Sequence, residues 1–454
     1  MTDFDVVVIG GGPAGYSAAL KAAERGATVA LIEAEQPGGA CVHHACIPTN
    51  ILLDSAIRHV EARELAVMGV FEAGEQFNFA RAAARTDALV RQMASGIQAA
   101  LRNRKVTVIA GRAAFASPSA VRVTTTGGNR ELTAEAFIIA TGTRWEPPEL
   151  PGFAPQRVLT ADAVQALPAA PRSALVLASG AGDVPFGLEY AALLAIAGAS
   201  VTVAAPERLI AALDHTLDEA ALAAMADLGI QVLFDAAVEG SQGDDAIVRH
   251  RGGRDLVGAE VVVAADARRP YFETLGLAAA GVTADGRIIV DPACRTNVSH
   301  IFAAGDVTGG VMLSAAASHM GEVAAINATG GDARTRLTGI PRVVHGPTEI
   351  AWVGMSEDAA REAGYDVTSG IYDLAYNARA VVLGARTGLV KVIAERELGE
   401  VLGVHAVGPG ASEIAGLAAA LMQAEVTVED MAASVAWHPS TGEALAEAAR
   451  RACR

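Results

Sequence analysis

The sequence predicts an α/β protein with two doubly wound domains, each built on a parallel sheet, followed by a C-terminal α+β domain. Three observations predict this fold. A short apolar strand, a glycine-rich turn, a helix and a second strand follow one another at residues 4–33, and the same order returns at residues 173–205. Strands that alternate with helices are typical of parallel sheets. Strand patterns at 388–394 and 401–408 precede a terminal helix, which indicates a differently built third part.

The first strand–turn–helix unit has the pattern of a dinucleotide site. Residues 4–9 form an apolar, β-branched run, which is typical of a buried parallel strand. Gly10 permits the tight turn, Gly12 lets the backbone approach a pyrophosphate, and Gly15 lets the helix pack on the sheet. Glu33, 23 residues after Gly10, is placed to accept a hydrogen bond from a ribose hydroxyl. A plain glycine-rich turn is the weaker interpretation, because strand, helix and acid are all in place.

Two of the four cysteines, Cys41 and Cys46, stand five residues apart shortly after this unit. In a reducing compartment a close pair is more often catalytic or metal-binding than structural, and a zinc site would need two more soft ligands. Cys294 and Cys453 each stand alone in the sequence, so we expect no metal site. The pair therefore predicts a redox disulfide beside the bound cofactor. Two buried thiols that merely pack are the alternative.

Composition argues against several classes of function. The chain has a formal net charge of −16 and only 4% aromatic residues, which argues against nucleic-acid binding. It contains no run of 18 or more apolar residues, so no membrane span is expected. The N-terminus has neither the basic segment nor the cleavage site of a signal peptide. A cytoplasmic location is therefore expected.

The segments that follow the cysteines are predicted to return to the first domain. Two long helical patterns occupy residues 50–69 and 79–103, with charges at three- and four-residue spacing that are typical of solvated faces. Strand patterns at 106–117 and 134–142 come next. We expect these strands to extend the sheet that begins at residue 4.

Five stretches, in order along nearly the whole chain, resemble motifs of one family. GGACVHHACIPTN (Gly38–Asn50) is similar to the G-G-T-C-x-x-x-x-C-I-P-S/T-K signature of the pyridine nucleotide–disulfide oxidoreductases, the family of dihydrolipoamide dehydrogenase, glutathione reductase and mercuric reductase. The other four stretches are Phe137–Gly152, Arg295–Gly310, Ile340–Gly354 and Ala436–Ala449. Within the family, residues 341–450 most resemble dihydrolipoamide dehydrogenase.

This resemblance implies a bound FAD and the family's domain order. The expected FAD-binding domain spans 1–150 and 276–335, an NAD(P)-type domain spans 151–275, and a dimerisation domain spans 336–454. In the second flavin motif, Asp306 is identified as a ligand of the ribityl chain. The further FAD contacts that the resemblance implies are Gly39, Asn50, Ala113, Thr141, Gly142 and Leu313.

The resemblance also assigns catalytic roles. Cys46 is expected nearer the flavin as the charge-transfer thiolate, and Cys41 is expected to be the interchange thiol that meets the substrate. Thiol–disulfide exchange needs a proton acceptor, and His438, oriented by Glu443, matches the family's base. In the family this pair reaches the active site of the other subunit, so an obligatory homodimer is expected. An ordinary surface histidine is the weaker alternative.

Several departures from the family indicate that NAD(P) binding is lost. The second glycine motif, Gly180–Glu189, is two residues longer than the family's, and its turn contains Asp183 and Pro185. An aspartate there would repel phosphate, and a proline lacks an N–H donor. Ala205 stands where a ribose-binding acid is expected, and Ala267 where the family usually has glycine. We expect NAD(P)H binding to be weak or absent; a repaired pocket with altered contacts is the alternative.

Other departures lie close to the flavin and the cysteines. Asn50 replaces the family's lysine at the flavin ring, whereas that lysine's partner is retained as Glu189. An unpaired carboxylate with a raised pKa is therefore expected at Glu189. His43 and His44 stand between the cysteines and either lower a thiol pKa or simply pack as helix residues. Gly346–Glu349 reads G-P-T-E where the family has T-x-P-E, which predicts a turn of different shape.

Three functions fit these features. The first is a specialised FAD-dependent dithiol oxidase that passes electrons to oxygen or another acceptor instead of NAD(P), in a biosynthetic pathway and on a carrier-bound thiol. The second is an NAD-dependent dihydrolipoamide dehydrogenase, the E3 subunit of a 2-oxoacid dehydrogenase complex. The third is a non-catalytic flavin-binding interaction protein. The altered second glycine motif favours the first over the second, and the complete cysteine pair with His438 and Glu443 argues against the third.

Overall fold

The structure is a computed structural model that describes residues 2–70, 72, 76–178, 186–385 and 387–453. Two compact units emerge from it. The first unit comprises residues 1–51, 83–147 and 267–337, and the second comprises residues 52–82, 148–266 and 338–454. The predicted turn with Gly180, Asp183 and Pro185 lies outside the described residues.

The chain alternates between strands and helices over most of its length. The strands are β1 (Phe4–Ile9), β2 (Val29–Glu33), β3 (Thr107–Ala110), β4 (Arg112–Ser117), β5 (Ala120–Thr125), β6 (Gly128–Ile139), β7 (Thr143–Trp145), β8 (Val158–Leu159), β9 (Ser173–Leu177), β10 (Ser200–Ala204), β11 (Gln231–Leu233), β12 (Ala237–Gln242), β13 (Asp245–His250), β14 (Gly253–Gly258), β15 (Val261–Val263), β16 (Arg268–Pro270), β17 (Ile301–Ala303), β18 (Arg342–Val344), β19 (Ile350–Gly354), β20 (Val367–Asp373), β21 (Leu389–Glu395) and β22 (Val401–Val407). The helices are α1 (Pro13–Glu24), α2 (Gly39–His43), α3 (Cys46–Val67), α4 (Phe79–Asn103), α5 (Ala161–Gln165), α6 (Gly187–Ile196), α7 (Asp218–Asp227), α8 (Leu277–Ala280), α9 (Ser314–Ala328), α10 (Glu357–Glu362), α11 (Ala378–Val382), α12 (Ala411–Gln423), α13 (Val428–Ala433) and α14 (Glu443–Ala452).

The first unit is built on a sheet whose parallel part has the order β3-β2-β1-β6, with β17 also pairing with β6. The long strand β6 continues into an antiparallel meander with β5 and β4. Side chains of β1 alternate between the two faces: Val6 and Val8 join one apolar cluster, and Val7 and Ile9 join another. Both faces are thus buried, as in other parallel sheets.

Helix α1 covers one face of this sheet and packs against α9. Pro13 occupies the first helical position, where its missing N–H costs nothing. Ala18 and Ala22 are fully buried, and their small size lets the two helices approach closely. At the contact, a Cβ on Gly321 would overlap the backbone of Ala14. The first and last segments of the unit are therefore held together by small residues.

The second unit contains a parallel sheet of order β11-β10-β9-β15-β8 and an antiparallel sheet of order β18-β19-β22-β21-β20. Helix α6 follows β9 and is buried almost throughout. Helices α12 and α14 pack on the antiparallel sheet, and their alanines and leucines complete its core. A three-stranded antiparallel sheet, β12-β13-β14, was not expected from the sequence.

A buried group of charged side chains joins distant segments of the second unit. Lys391, on β21, is 1% exposed and lies 2.9 Å from Oδ1 of Asp214 and 2.6 Å from Oε2 of Glu357. The backbone N–H of Asp214 donates to Nδ1 of His405 at 3.0 Å. Nε2 of His405 therefore carries the proton and donates to the carbonyl oxygen of Met355 at 3.0 Å. The histidine is held neutral between two backbone groups.

The predicted fold class is confirmed: the chain is mixed α/β, with two parallel-sheet regions and a C-terminal antiparallel sheet with helices. Strand β1 spans the predicted residues, and α3 and α4 fall on the two predicted helical patterns. None of the helices in the part of the chain that the structure describes is both long and apolar enough to cross a lipid bilayer.

Candidate active site

The glycine-rich turn between β1 and α1 forms a cradle that larger residues would fill. Gly10 has a φ of +101°, and a Cβ there would overlap the carbonyl oxygen of Ala140. A Cβ on Gly15 would overlap the carbonyl oxygen of Gly10. Gly39 faces the same turn, since a Cβ on it would overlap Cα of Gly12. The two glycine segments thus leave backbone exposed to a ligand.

The acid at the end of β2 completes this cradle. The backbone N–H of Gly11 donates to Oε2 of Glu33 at 2.5 Å, and that of Glu35 donates to Oε1 of Glu33 at 2.8 Å. Gly12 is the N-cap of α1, and no described side chain caps this helix. Its first N–H groups are therefore left for an anion such as a phosphate. The arrangement fits the pyrophosphate and ribose of FAD.

The other residues predicted to contact FAD in the first unit lie in varied settings. The hydroxyl of Thr141 donates to the carbonyl oxygen of Tyr271, and the carbonyl oxygen of Gly142 accepts from the N–H of Tyr271 at 2.9 Å. Ala113 is buried on β4. Leu313 directly precedes α9. Their contacts with FAD stay predictions.

Asp306 forms an ion pair that the sequence did not predict. It opens a short 3₁₀ turn after β17, and Nη1 of Arg268 lies 3.2 Å from its Oδ2. Nη2 of Arg268 donates to the carbonyl oxygen of Met312 at 3.3 Å. Burial raises the pKa of Asp306, and the guanidinium opposes that rise. Arg268 thus braces the segment from Asp306 to Met312, which leads directly into α9.

The two cysteines predicted to be redox-active lie on either side of a helix break. Cys41 belongs to the short helix α2, and Cys46 is the first residue of α3. His44 ends α2 with a φ of −136°, outside the helical region. Both thiols are free in this structure, and each is a main cause of the pKa shift of the other. The two side chains are therefore close enough to interact, as formation of a disulfide requires.

The surroundings of the two thiols favour ionisation of Cys46 over Cys41. The hydrogen bond from Cys41 lowers the pKa of Cys46, and further lowering comes from Ser314 and the positive charge of Arg268. Oγ of Ser314, at the start of α9, lies 3.2 Å from Sγ of Cys46. The same hydrogen bond between the two thiols, together with burial, raises the pKa of Cys41. These shifts favour the thiolate at Cys46 and the protonated thiol at Cys41 when the pair is reduced.

The histidines between the cysteines make other contacts. Nε2 of His43 donates to the carbonyl oxygen of Pro37 at 3.2 Å, and Nε2 of His44 lies 3.5 Å from a carboxylate oxygen of Glu35. Neither histidine is among the main causes of the pKa shifts of the two thiols. These contacts favour the packing interpretation of the two residues.

The expectations for Asn50 and Glu189 have different outcomes. Nδ2 of Asn50 donates to the carbonyl oxygen of Cys46 at 2.9 Å, so its amide is engaged by its own helix. The expectation of an unpaired carboxylate at Glu189 is wrong. The backbone N–H of His345 donates to Oε1 of Glu189 at 3.0 Å. A main-chain donor from a different segment thus compensates for the missing lysine, which local sequence could not reveal.

The G-P-T-E turn has a defined anchor. Glu349, its last residue, accepts hydrogen bonds from the N–H and the hydroxyl of Ser412 at 3.1 and 2.8 Å. Burial opposes ionisation of Glu349, but hydrogen bonds from His345 and Ser412 hold its pKa below the usual range. The turn between β18 and β19 is thereby tied to the start of α12.

His438 and Glu443 form an oriented pair in the second unit. Nδ1 of His438 donates to Oε1 of Glu443 at 2.9 Å, and the N–H of Ser440 donates to Oε2 at 2.9 Å. The hydrogen bonds from Ser440 and His438 lower the pKa of Glu443. The imidazole side chain is 71% exposed. Because Nδ1 carries a proton, Nε2 is left to accept one from a substrate.

Ser314 and Arg268 are functional candidates that sequence reasoning missed. Ser314 is 268 residues from Cys46 along the chain, and no spacing rule connects positions so far apart. Arg268 directly follows Ala267 in the segment Ala264–Pro270, where the resemblance to the family predicts only the loss of a glycine at Ala267. In both cases the role could be predicted only by knowing which distant segments of the chain lie together in the fold.

The second parallel sheet has no acid at the position that Glu33 occupies in the first unit. Strand β10 ends at Ala204, and Ala205, which follows, is buried. In a dinucleotide-binding unit, the residue at this position binds a ribose hydroxyl through a carboxylate. Within the described residues, no group of three or more histidine, cysteine or acidic residues is placed to hold a metal ion.

Comparison with known proteins gives matches along the whole chain. A family profile described as "Pyridine nucleotide-disulphide oxidoreductase" matches residues 4–321, and a profile of its "dimerisation domain" matches residues 340–449. The chain is 33% identical over 456 residues to a dihydrolipoyl dehydrogenase of Bacillus subtilis (strain 168), covering 98% of this chain and 97% of that protein. A dihydrolipoyl dehydrogenase of Halobacterium salinarum is 34% identical over 465 residues, covering 99% and 96%.

Solved structures are similar over the same extent. LpdA from Mycobacterium tuberculosis has a TM-score of 0.87 at 28% identity and covers 98% of this chain and 99% of its own. The Cu(II) complex of the HOCl-induced flavoprotein disulfide reductase RclA from Escherichia coli has a TM-score of 0.85 at 26% identity, with 99% of each chain covered.

Proposed function

Because the chain belongs to the pyridine nucleotide–disulphide oxidoreductase family of FAD-binding flavoproteins, and is an oxidoreductase that acts on sulfur groups, we propose that it is a dithiol oxidase. In this proposal a dithiol substrate reduces the Cys41–Cys46 disulfide. The electrons then leave through FAD to dioxygen or another acceptor, and NAD(P) takes no part.

One observation supports the proposal that the electron acceptor is not NAD(P). The second parallel sheet offers Ala205 where a nucleotide-binding unit offers a carboxylate to the ribose. Each hydrogen bond to a ribose hydroxyl that is lost weakens nucleotide binding, and a buried methyl group cannot replace it. The altered glycine motif around Asp183 and Pro185, read from the sequence, acts in the same direction.

The side chains support the exchange reaction as follows. A substrate thiol loses its proton to Nε2 of His438, and its sulfur attacks Sγ of Cys41 in the disulfide. The Cys41–Cys46 bond breaks, and Cys46 leaves as a thiolate that accepts a hydrogen bond from Ser314 near the positive charge of Arg268. The second substrate thiol attacks the mixed disulfide. The bond from Cys41 to the substrate breaks as the substrate's own disulfide forms, Cys41 takes the proton of the second substrate thiol, and His438 keeps the proton of the first.

FAD, when bound, supplies the two-electron redox centre that restores the protein disulfide. Gly10, Gly12, Gly15 and Glu33 would hold its pyrophosphate and first ribose, and Asp306 its ribityl chain. Two electrons and two protons leave the protein in each cycle. With dioxygen as the acceptor, they appear as one hydrogen peroxide.

The test is anaerobic mixing of the purified holoprotein with NADH, with NADPH and with dithiols, both free and carrier-bound, while the flavin spectrum is recorded. We expect the dithiol alone to bleach the flavin or to produce a long-wavelength charge-transfer band. Admitting oxygen should then restore the oxidised spectrum and consume one dioxygen per dithiol. Cys41→Ser should abolish reduction by the dithiol.

A second candidate is supported by the relatives. Two proteins that cover nearly all of this chain are named dihydrolipoyl dehydrogenase. Rapid flavin reduction by NADH, or NADH formation from NAD⁺ and dihydrolipoamide, would establish that activity and overturn the oxidase proposal.

We also propose a homodimer in which a second copy covers an apolar surface of the dimerisation domain. The surface consists of Tyr376, Val381, Val382, Val435 and Trp437, of which Val435 is 98% and Trp437 80% exposed. Nδ2 of Asn377 donates to the carbonyl oxygen of Ser440 at 3.0 Å, which ties this surface to the loop of His438. Large apolar side chains exposed together are typical of an interface.

A further inference from the structure

The parallel sheet of the second unit has a topological switch point between β9 and β15. From β9 the chain passes through α6 to β10 on one side, whereas β15 pairs with β9 on the other. In doubly wound sheets, ligands bind beyond the carboxyl ends of the strands at this point. The crevice at the ends of β9 and β15 is therefore where a nucleotide would lie.

A buried carboxylate stands in this crevice. Asp266 follows the end of β15 by three residues and is 7% exposed. Both of its carboxylate oxygens are shielded from solvent. Oδ2 lies 3.6 Å from the position that a Cβ of Gly187 would take, and Gly187 is the first residue of α6. The carboxylate thus lies beside Gly187, in the helix that follows β9.

The N-terminus of a helix carries a partial positive charge and unsatisfied N–H groups, and in dinucleotide-binding units it attracts the pyrophosphate. A carboxylate of the protein at this position interacts favourably with the same partial positive charge, as the pyrophosphate would. It also repels a phosphate that approaches the same N–H groups.

We propose that Asp266 takes the place of the nucleotide pyrophosphate at the N-terminus of α6 and thereby excludes NAD(P) from the second unit. Asp266 is then a specificity-determining residue, because it decides which electron acceptors reach the flavin. The inference rests on the proposed oxidase function and explains it at the level of one side chain. Ala205 adds to the effect, since a nucleotide gains nothing at the ribose position.

The test compares two substitutions with a charge-matched control in the holoprotein. Asp266→Asn keeps the size and removes the charge, and Asp266→Ala removes both. Asp227→Asn makes the same change in net charge at an exposed position near the end of α7. Binding of NADH is followed by its fluorescence, and flavin reduction by NADH is followed anaerobically. Reduction by a dithiol, which does not involve Asp266, checks that each variant is folded and loaded with FAD.

We expect both Asp266 variants to bind NADH about tenfold or more tightly than the wild type, and Asp227→Asn to bind it no better. If the variants are reduced normally by a dithiol but bind NADH as poorly as the wild type, the inference is overturned while the oxidase proposal stands. If the wild type itself is rapidly reduced by NADH, the oxidase proposal fails and this inference with it. If Asp266→Ala loses its flavin, the nearly isosteric Asp266→Asn decides.

Discussion

The hydroxyl group of Ser314 lies 3.2 Å from the sulfur of Cys46. A thiolate is an acceptor only, so the hydroxyl donates to it once Cys46 is ionised. A hydrogen bond to the charged form lowers the pKa. Ser314 therefore extends the range of pH over which Cys46 remains a thiolate.

Substitution Ser314→Ala should raise the pKa of Cys46 by about one unit, because a hydrogen bond to a charged group is lost. A lowered pKa means that the thiolate persists as the pH falls. In the variant the thiolate should therefore disappear at a higher pH. The measurement is a pH titration of the long-wavelength charge-transfer absorbance in the dithiol-reduced holoprotein.

Ser318→Ala is the matched control for this titration. The hydroxyl of Ser318 lies one turn further along α9 and donates to the carbonyl oxygen of Pro13 at 3.5 Å. The Ser318→Ala variant should therefore titrate like the wild type. Identical curves for Ser314→Ala and the wild type would mean that Ser314 does not stabilise the thiolate.

Candidate functional residues could be predicted from the sequence where they belong to a pattern of local spacing. The glycines after β1 and the acid at the end of β2 follow from a repeated chemical pattern, and in the structure the N–H of Gly11 donates to Glu33. The partners of Cys46 and Glu189 come from distant segments. Neither Ser314 nor the N–H of His345 has a distinctive sequence environment, since one opens an alanine-rich helix and the other is a main-chain group.

Among the elements, β21 and β22 each contribute one side chain to the buried group around Asp214. Lys391 and His405 are direct cross-strand partners. Although burial opposes ionisation, hydrogen bonds from Lys391 and from the N–H of Glu357 lower the pKa of Asp214. Burial lowers the pKa of His405 from its ordinary value of 6.5 to about 4. The environment between these strands therefore stabilises the neutral form of His405.

The stability of the second unit should fall on acidification in a way that depends on His405. Between pH 6.5 and about 4 the unfolded chain binds a proton that the folded chain does not, so stability falls with falling pH. From pH 7 to pH 5 the contribution of His405 should decrease by about 2 kcal/mol. His405→Gln keeps one acceptor and one donor and should lose that dependence. Urea unfolding at the two pH values measures the difference.

A second variant separates titration from hydrogen bonding. His405→Leu removes both, so it should be less stable than the wild type at pH 7 and should also show the weaker pH dependence. If His405→Gln and the wild type lose equal free energy of unfolding between the two pH values, His405 is not the titrating group.

The elements differ in how well the sequence predicts them. Strands β1, β9 and β10 are continuous apolar runs because both faces of their sheets are buried, and such runs are easily recognised. The meander β12-β13-β14 is different. Strand β14 contains four exposed residues out of six, so its sequence lacks an apolar pattern, and its hydrogen bonds rather than its side chains define it.

For the whole molecule, the arrangement of subunits determines whether His438 can act as the base for the cysteine pair. If His438 serves the cysteine pair of the partner subunit, Cys41→Ser and His438→Gln homodimers should both be nearly inactive with a dithiol. Mixed dimers should regain one working site. After unfolding and refolding an equal mixture, half the dimers are mixed, and about a quarter of the wild-type activity should return.

The unmixed variants, refolded separately and then combined at low temperature, provide the control and should stay inactive. Activity in neither sample would mean that His438 and the cysteines act within one subunit. Disruption of the apolar surface by Trp437→Asp should lower activity together with the apparent mass in solution.

Helix α1 packs against α9, although about 300 residues separate them in the chain. During synthesis, the fingerprint for flavin leaves the ribosome long before its supporting helix exists. The segment from 148 to 266, which belongs to the second unit, is therefore synthesised before the first unit is complete at residue 337. A truncated product that ends before α9 would carry every glycine of the fingerprint and still be unable to keep a cofactor.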